Sequence, residues 1–271
     1  MNGSSQAGMD DASGPLFEVR DVTVRFGGLT ALDAVSLAVP PGHVMGVIGP
    51  NGAGKTTLLN VASGFIRPDQ GDVLIGGVPQ RNIRPHNLAA LGVARTLQGV
   101  GLFDGLTALE NVMVGATARA TAGFWTSLLS LPRSGRDERQ LAELAREALE
   151  LAGAGSIANA LPGELPYGMR KRIALARALA GRPRLLLLDE PASGLDEAEL
   201  AELGKLIRDL ATHENPGMRI SLVVVEHHMD LMMSVCDTIT VLDFGKVIAV
   251  GTPNSVLKEP HVVEAYLGGA G

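Results

Sequence analysis

Short apolar runs open the chain, and a helical period takes over only after residue 54. Between Leu16 and Ile48 lie the runs Phe17 to Val19, Val22 to Phe26, Val35 to Val39 and Val44 to Ile48, separated by Gly and Pro signals, and they predict a strand-rich opening. Helical periodicity follows Gly54, and a further strand is expected at Val73 to Ile75. From about Phe103 to Leu161 the chain turns Ala- and Leu-rich, which predicts a separate helical lobe. Its strongest stripe places Leu141, Leu144, Ala145, Ala148, Leu149 and Ala152 on one face, with Glu143, Arg146, Glu147 and Glu150 outside and Gly153 as the stop. A second helix is expected from Met169 to Ala180, ended by Gly181 and Pro183. The continuous apolar runs Leu185 to Leu188 and Ile220 to Val225 predict buried parallel strands flanking another amphipathic helix.

Composition narrows the function. The 271 residues, 46% of them hydrophobic, suffice for one large α/β core, and no internal repeat is visible. With 23 basic against 29 acidic residues the net charge is −6, so no overall basic field draws the chain to nucleic acid or anionic lipid. A single cysteine, Cys236, excludes an internal disulfide framework and reads as a packing residue. No apolar stretch approaches the roughly 20 residues needed to span a bilayer. Met1 to Gly14 is rich in Gly, Ser and Asp and lacks the order of a signal peptide, so residues 1–14 are expected to form a disordered tail. A cytoplasmic chain with a single domain over residues 15–268 follows.

The chemistry begins at Gly49-Pro50-Asn51-Gly52-Ala53-Gly54-Lys55-Thr56, which fits GxxxxGK[ST] between an apolar run and a helical one. Glycines let backbone N–H groups close on phosphate oxygens, and a helix N-terminus adds partial positive charge. Lys55 would neutralise the terminal phosphates of ATP, Thr56 would offer its hydroxyl to Mg²⁺, and Thr57 follows as a further nucleotide contact. The second element, Asp189-Glu190, closes the apolar run Leu185 to Leu188. Asp189 is suited to hold Mg²⁺ through water, and Glu190, pointing elsewhere, to polarise the attacking water.

The order of these pieces resembles the ATP-binding subunits of ABC transporters, and the resemblance covers the chain from Leu16 to Leu267. It implies an α/β P-loop NTPase fold with a RecA-like core, an antiparallel β subdomain and an α-helical subdomain inserted at about residues 100–180. Gln98 stands where that family has a glutamine that contacts the metal and links the lobes. Leu165-Pro166-Tyr167-Gly168-Met169 stands at the signature, Ser193 to Asp196 follows as the D-loop with Asp196 among the nucleotide-site residues, and His227 matches the switch histidine. Phe26 falls where an aromatic side chain stacks on adenine. His228, where the family often has an acid, is expected at the surface.

The signature departs from the usual LSGGQ. Pro166 replaces the hydroxyl that would bond the γ-phosphate of the opposite subunit's nucleotide, and it has no N–H to donate. A proline is tolerated at a helix start, and the following helix still aims its positive end at phosphate, with Gly168 permitting close approach. A weakened γ-phosphate contact, not a dead site, is the expectation.

Phe26 to Leu32, Leu102-Phe103 with Leu106 to Val112, the Pro-Tyr-Gly signature and the ending Glu264-Ala265-Tyr266-Leu267-Gly268 resemble the branched-chain amino-acid uptake branch. So does the long insertion around Gly115 to Gly163 with the sole tryptophan. The resemblance implies a head-to-tail pairing with a second ATP-binding subunit, around two ATP molecules. It also implies integral-membrane permease subunits gripped beside Gln98 and Val100 to Val112, an indirect extracytoplasmic substrate-binding protein, and a peripheral place on the cytoplasmic face of the membrane. Glu190, His227 and Gln98 would carry hydrolysis. A soluble mechanical ATPase acting on ribosome or DNA, a nucleotide-gated binding module, and carriers of urea, amides or lipid remain as alternatives.

Overall fold

The computed structural model describes residues 14–96, 99–117, 135–213 and 219–267. Residues 1–13 of the expected tail, Gln98, and residues 118–134 of the expected insertion lie outside the described residues. Among the described residues no helix is long and apolar enough to cross a membrane.

Two sheets organise the chain. The first is antiparallel, in the order β2-β1-β4-β5, from β1 (Phe17–Phe26), β2 (Leu29–Val39), β4 (Gln70–Ile75) and β5 (Val78–Pro79). The second has the order β10-β9-β3-β8-β7-β6, from β3 (Val44–Ile48), β6 (Val93–Arg95), β7 (Leu185–Asp189), β8 (Ser221–Val225), β9 (Thr238–Asp243) and β10 (Lys246–Gly251). It is parallel except for β10, which runs antiparallel to β9.

The opening runs are longer and fewer than the sequence pattern predicts. Phe17 to Val19 and Val22 to Phe26 form one strand, because Asp21 takes a left-handed backbone (φ 49°) and the register shifts there in a bulge. β2 begins at Leu29, not Val35, and β4 at Gln70, not Val73. In both cases pairing with β1 extends the strand beyond its apolar run, with Thr30 opposite Arg25 and Gln70 opposite Thr23. β6, β9 and β10 have no counterpart in the expected elements.

The pleat of β7 explains its uninterrupted leucines. Leu185 and Leu187 enter the core shared with the antiparallel sheet and with α1 (Lys55–Ala62). Leu186 and Leu188 enter the core on the other face. That face is covered by α2 (Ala108–Thr117), α3 (Gly135–Leu151), α4 (Tyr167–Leu179), α5 (Glu197–Ala211) and α6 (Met229–Val235). Each buried leucine contributes about 1.5–3 kcal/mol, and neither face can accept a polar side chain.

Between β6 and β7 the chain builds a helical layer from α2, α3 and α4. The predicted stripe on α3 buries Ala145, Ala148 and Leu149, and Gly153 just beyond the helix has φ 66°. A Cβ at Gly115 of α2 would collide with the Arg177 carbonyl of α4, so the two backbones approach directly. Helix α4 starts at Tyr167, earlier than the expected Met169, which places Pro166 at its N-cap. After β10, α7 (Pro253–Val256) and α8 (Pro260–Leu267) end the fold.

Helix α6 seats on β3 where Gly46 leaves room, since a Cβ there would lie 2.6 Å from Met232 Cε and 2.8 Å from Cys236 Sγ. Burial, with the Asp237 carboxylate beside it, pushes the Cys236 thiol up to about 12. A raised thiol pKa keeps the neutral form as pH rises, so at pH 8 only about 10⁻⁴ of the native chain carries a thiolate. Alkylation by iodoacetamide at pH 8 is therefore expected to be at least about 100-fold slower in the native chain than in urea, as followed by mass.

Candidate nucleotide-binding site

The loop from Gly49 to Thr56 leaves β3 at its C-terminal end and enters α1. Two glycines are required by what surrounds them. A Cβ at Gly49 would collide with the Leu242 carbonyl of β9, and one at Gly54 (φ 103°) would lie 2.6 Å from the Ala31 carbonyl of β2. The loop is thus clamped between two sheets. Its N-cap residue, Gly54, supplies no side chain to the first-turn N–H groups of α1, and that turn carries no acid. Such a helix start offers free donors and partial positive charge to an anion.

Lys55 folds back over the loop, its Nζ donating to the carbonyls of Gly49 at 2.7 Å and Pro50 at 2.9 Å. Burial lowers its pKa, and the nearby Glu190 and Asp189 oppose that shift. The Lys55 ammonium and the two carboxylates therefore converge. Asn51, Gly52 and Thr56 are exposed, Pro50 and Thr57 half-exposed, and Ala53 buried.

Asp189 ends β7 buried, whereas Glu190 takes a left-handed backbone (φ 47°) while its N–H still donates to Val225 O at 2.9 Å. That turn directs the two acids apart. Glu190 lines a cleft of about 470 Å³ with Phe26, Thr30, Ala31, Lys55, Thr56 and Phe244. It also lines the adjoining hollow, where His227 meets Gly49 to Ala53. Phe26 stands at the rim, half exposed at the end of β1.

His227 is exposed and follows Glu226, whose carboxylate is fully buried at the end of β8. Glu226 Oε2 accepts the His227 N–H at 2.9 Å and the His228 N–H at 3.4 Å, and Oε1 accepts the Ala192 N–H at 2.6 Å. His228 is half-buried, not a surface residue: it caps the start of α6, with its ring 4.9 Å from that of His227.

The signature segment lies elsewhere. None of Leu165, Pro166, Tyr167, Gly168 and Met169 lines the two hollows that hold the phosphate loop. Pro166 and Tyr167 are exposed, Leu165 and Met169 half-buried, and Gly168 buried against Glu199 of its own chain. The close approach that Gly168 permits is thus taken by α5. Asp196 caps α5, accepting the Glu199 N–H at 2.8 Å, while Glu199 accepts the Asp196 N–H at 3.0 Å.

Three polar residues of the site escape the sequence reading. Arg95, at the end of β6, pairs with Asp189 Oδ2 at 2.9 Å and donates to Asn60 Oδ1 and Ser63 Oγ at 2.8 and 2.7 Å. Lys171 of α4 donates to the Pro191 carbonyl at 2.8 Å. Glu226 carries a signal already used for Asp189, an acid closing an apolar run; Arg95 and Lys171 carry none, because their partners are remote in sequence.

The Arg95–Asp189 pair is 7% and 3% exposed, so removing one partner leaves a buried charge. Arg95→Leu is expected to cost about 3–5 kcal/mol in urea denaturation, and Arg95→Leu with Asp189→Leu less than that.

The sequence pattern of the family described as ABC transporter matches residues 32–193. A second pattern, described as branched-chain amino acid ATP-binding cassette transporter, matches residues 246–271. The chain is 40% identical over 258 residues to the high-affinity branched-chain amino acid transport ATP-binding protein BraF of Pseudomonas aeruginosa, covering 95% of this chain and 100% of that protein. A crystal structure of the ADP conformation of an ATP-binding cassette superposes with TM-score 0.82 at 29% identity, covering 94% of this chain and 100% of that one. A dimeric cassette in a post-hydrolysis state bound to ADP and phosphate gives TM-score 0.71 at 26% identity, covering 88% and 98%. The clamped phosphate loop, the paired acids at the end of β7 and these likenesses over nearly the full length agree: the chain belongs to the ABC transporter family, as one of its ATP-binding cassettes.

Proposed function

We propose that this chain hydrolyses ATP in a composite site shared with a second cassette, and so energises an importer for branched-chain or related amino acids. The observation that carries the reading is a separation within one chain: Glu190 lines two adjoining hollows, one with Lys55 and the other with His227, and none of Leu165 to Met169 lines either. A signature that lies outside the hollows of its own phosphate loop can serve the loop of another subunit. The dimeric arrangement of a related cassette supports this.

In the proposed site Lys55 and the first turn of α1 bind the β- and γ-phosphates, and Phe26 stacks on adenine. Glu190 accepts the proton of the attacking water, and His227 holds the γ-phosphate and that water in line. The Thr56 hydroxyl and the Asp189 carboxylate, with Gln98, are the hard oxygen donors that Mg²⁺ takes, and Arg95 grips Asp189 through Oδ2. When bound, the ion would neutralise charge on the β- and γ-phosphate oxygens. The opposite subunit's Leu165 to Met169, with the α4 N-terminus, would close the sandwich without the hydroxyl that Pro166 lacks.

A cassette over residues 15–268, its helical lobe spanning about 100–180, would pass closure to separate membrane subunits. A groove of about 470 Å³ between β6 and the α2–α4 layer is rimmed by the half-exposed Phe65, Phe103 and Val114. Its wall is stiff. Asn111, fully buried, accepts the Phe103 N–H at 2.8 Å and donates to the carbonyls of Phe103, Leu106 and Thr107 at 3.0–3.1 Å. Such a rim suits an amphipathic helix of a permease at the cytoplasmic face of the membrane. The branched-chain amino acid transport role of the BraF relative and the match at residues 246–271 support the cargo.

Glu190→Gln keeps the shape of the side chain and removes the base, so ATP turnover is expected to fall by about 10²-fold or more while nucleotide still binds. Equal rates in the two proteins would sink the enzymatic reading. Affinity purification of the chain from its own membranes is expected to bring down an integral-membrane permease; recovery of a ribosome in its place would overturn the transport reading.

A further inference from the structure

Glu190 holds a backbone conformation that a non-glycine residue adopts only under constraint, at φ 47°. Such a conformation is strained and persists where the surroundings over-determine it. Here three anchors do so. The first is local to the sheet, the Glu190 N–H donating to Val225 O at 2.9 Å. The second comes from the signature helix: Lys171 Nζ donates to the Pro191 carbonyl at 2.8 Å and the Glu190 carbonyl at 3.4 Å. The third comes from the segment before the switch, where Glu226 Oε1 accepts the Ala192 N–H at 2.6 Å.

Glu226 does more than hold residue 192. Its other oxygen accepts the N–H groups of His227 and His228, so one fully buried carboxylate ties the start of the D-loop to the switch histidine. Burial lowers the pKa of the half-buried Lys171, and Glu226 is the nearby charge that most opposes that shift. Lys171 Nζ also lies 5.4 Å from the centroid of the Tyr167 ring, and that ring packs on Gly194 of the D-loop. Signature helix, residues 190–192 and switch are therefore joined by contacts that leave little slack.

We propose that Lys171 and Glu226 are positioning residues that couple this chain's signature helix to its own Glu190 and His227, so that nucleotide held at the signature sets the geometry of the chain's own hydrolytic site. The inference rests on the composite-site reading above. Loading of the signature displaces α4, the two carbonyls held by Lys171 follow, and Glu190 swings with its backbone. Glu226 passes the same displacement to His227 through Ala192. A glutamine at 226 would break this relay with little change of shape, because it accepts through a single oxygen and leaves either Ala192 or the two histidines unserved.

The test uses the full chain, steady-state ATP hydrolysis across ATP concentration, and separate equilibrium binding of a fluorescent ATP analogue. Lys171→Met and Glu226→Gln are each expected to lower kcat about tenfold and reduce the Hill coefficient toward one, with analogue affinity within about twofold of the native chain. Lys171→Arg, which keeps a donor, is expected to restore most of the kcat. The double variant should fall no further than the weaker single one, since both anchors act on one segment. Preserved analogue affinity reports that a variant is folded; if one single variant loses it, the other and Lys171→Arg decide the question. A kcat within about twofold of native in a folded single variant, or effects that multiply in the double one, would overturn the coupling. Glu190→Gln keeps the two readings apart: if it turns over at the native rate the enzymatic reading of this site falls and the coupling with it, and if it is inactive while Lys171→Met is native only the coupling falls.

Discussion

A parallel strand buried on both faces cannot carry an ionisable side chain along its length, and in this chain that constraint drives the chemistry to one edge of the sheet. β7 is leucine from 185 to 188 and becomes polar only at Asp189 and Glu190; β8 is apolar from Leu222 to Val225 and then turns to Glu226 and His227. β3 ends at Gly49 in the same way. Because these strands are adjacent and parallel, their polar ends converge, and the crevice beyond the carboxyl ends of the strands becomes the site.

The same constraint creates charges that must be partnered. Asp189 and Glu226 are both buried, and each is answered differently. Asp189 is paired with a cation, Arg95, which is itself shared with Asn60 and Ser63 of α1 and the residue after it. Glu226 is answered by backbone N–H groups from two segments. A carboxylate that accepts several N–H groups is stabilised without a counter-ion, and it fixes those groups relative to each other. One acid thus binds β6 and α1 to the end of β7; the other binds Ala192 to the two histidines that follow β8.

The helical layer is attached to this edge at two points along α4. Near its start Lys171 reaches the carbonyls after β7, and near its end Arg177 donates to Gly101 O at 2.7 Å and Val100 O at 3.2 Å. The signature helix therefore touches both the segment that follows Gln98 and the segment that carries Glu190. A rigid helix held at both ends transmits displacement from one to the other, which is how the carboxyl edge of the sheet and the groove beside α2 can be made to move together.

The sequence by itself determined the phosphate loop, the buried strands and the acids at the end of β7, because each depends on residues contiguous in the chain. Spacing alone places Lys55 at the start of a helix and Asp189 at the end of a strand. The tertiary structure alone decided what those residues meet. Arg95 pairs with an acid 94 residues away, and no pattern along the chain signals that. The run from Phe17 to Phe26 is one strand because a bulge at Asp21 absorbs its polar break, and β9 and β10 exist because β3 offers β9 a paired edge. Gly168 belongs to a recognisable motif, yet the space it leaves is taken by Glu199 of α5. Local pattern records burial and backbone freedom; which side chain answers a buried charge is settled only when distant segments pack.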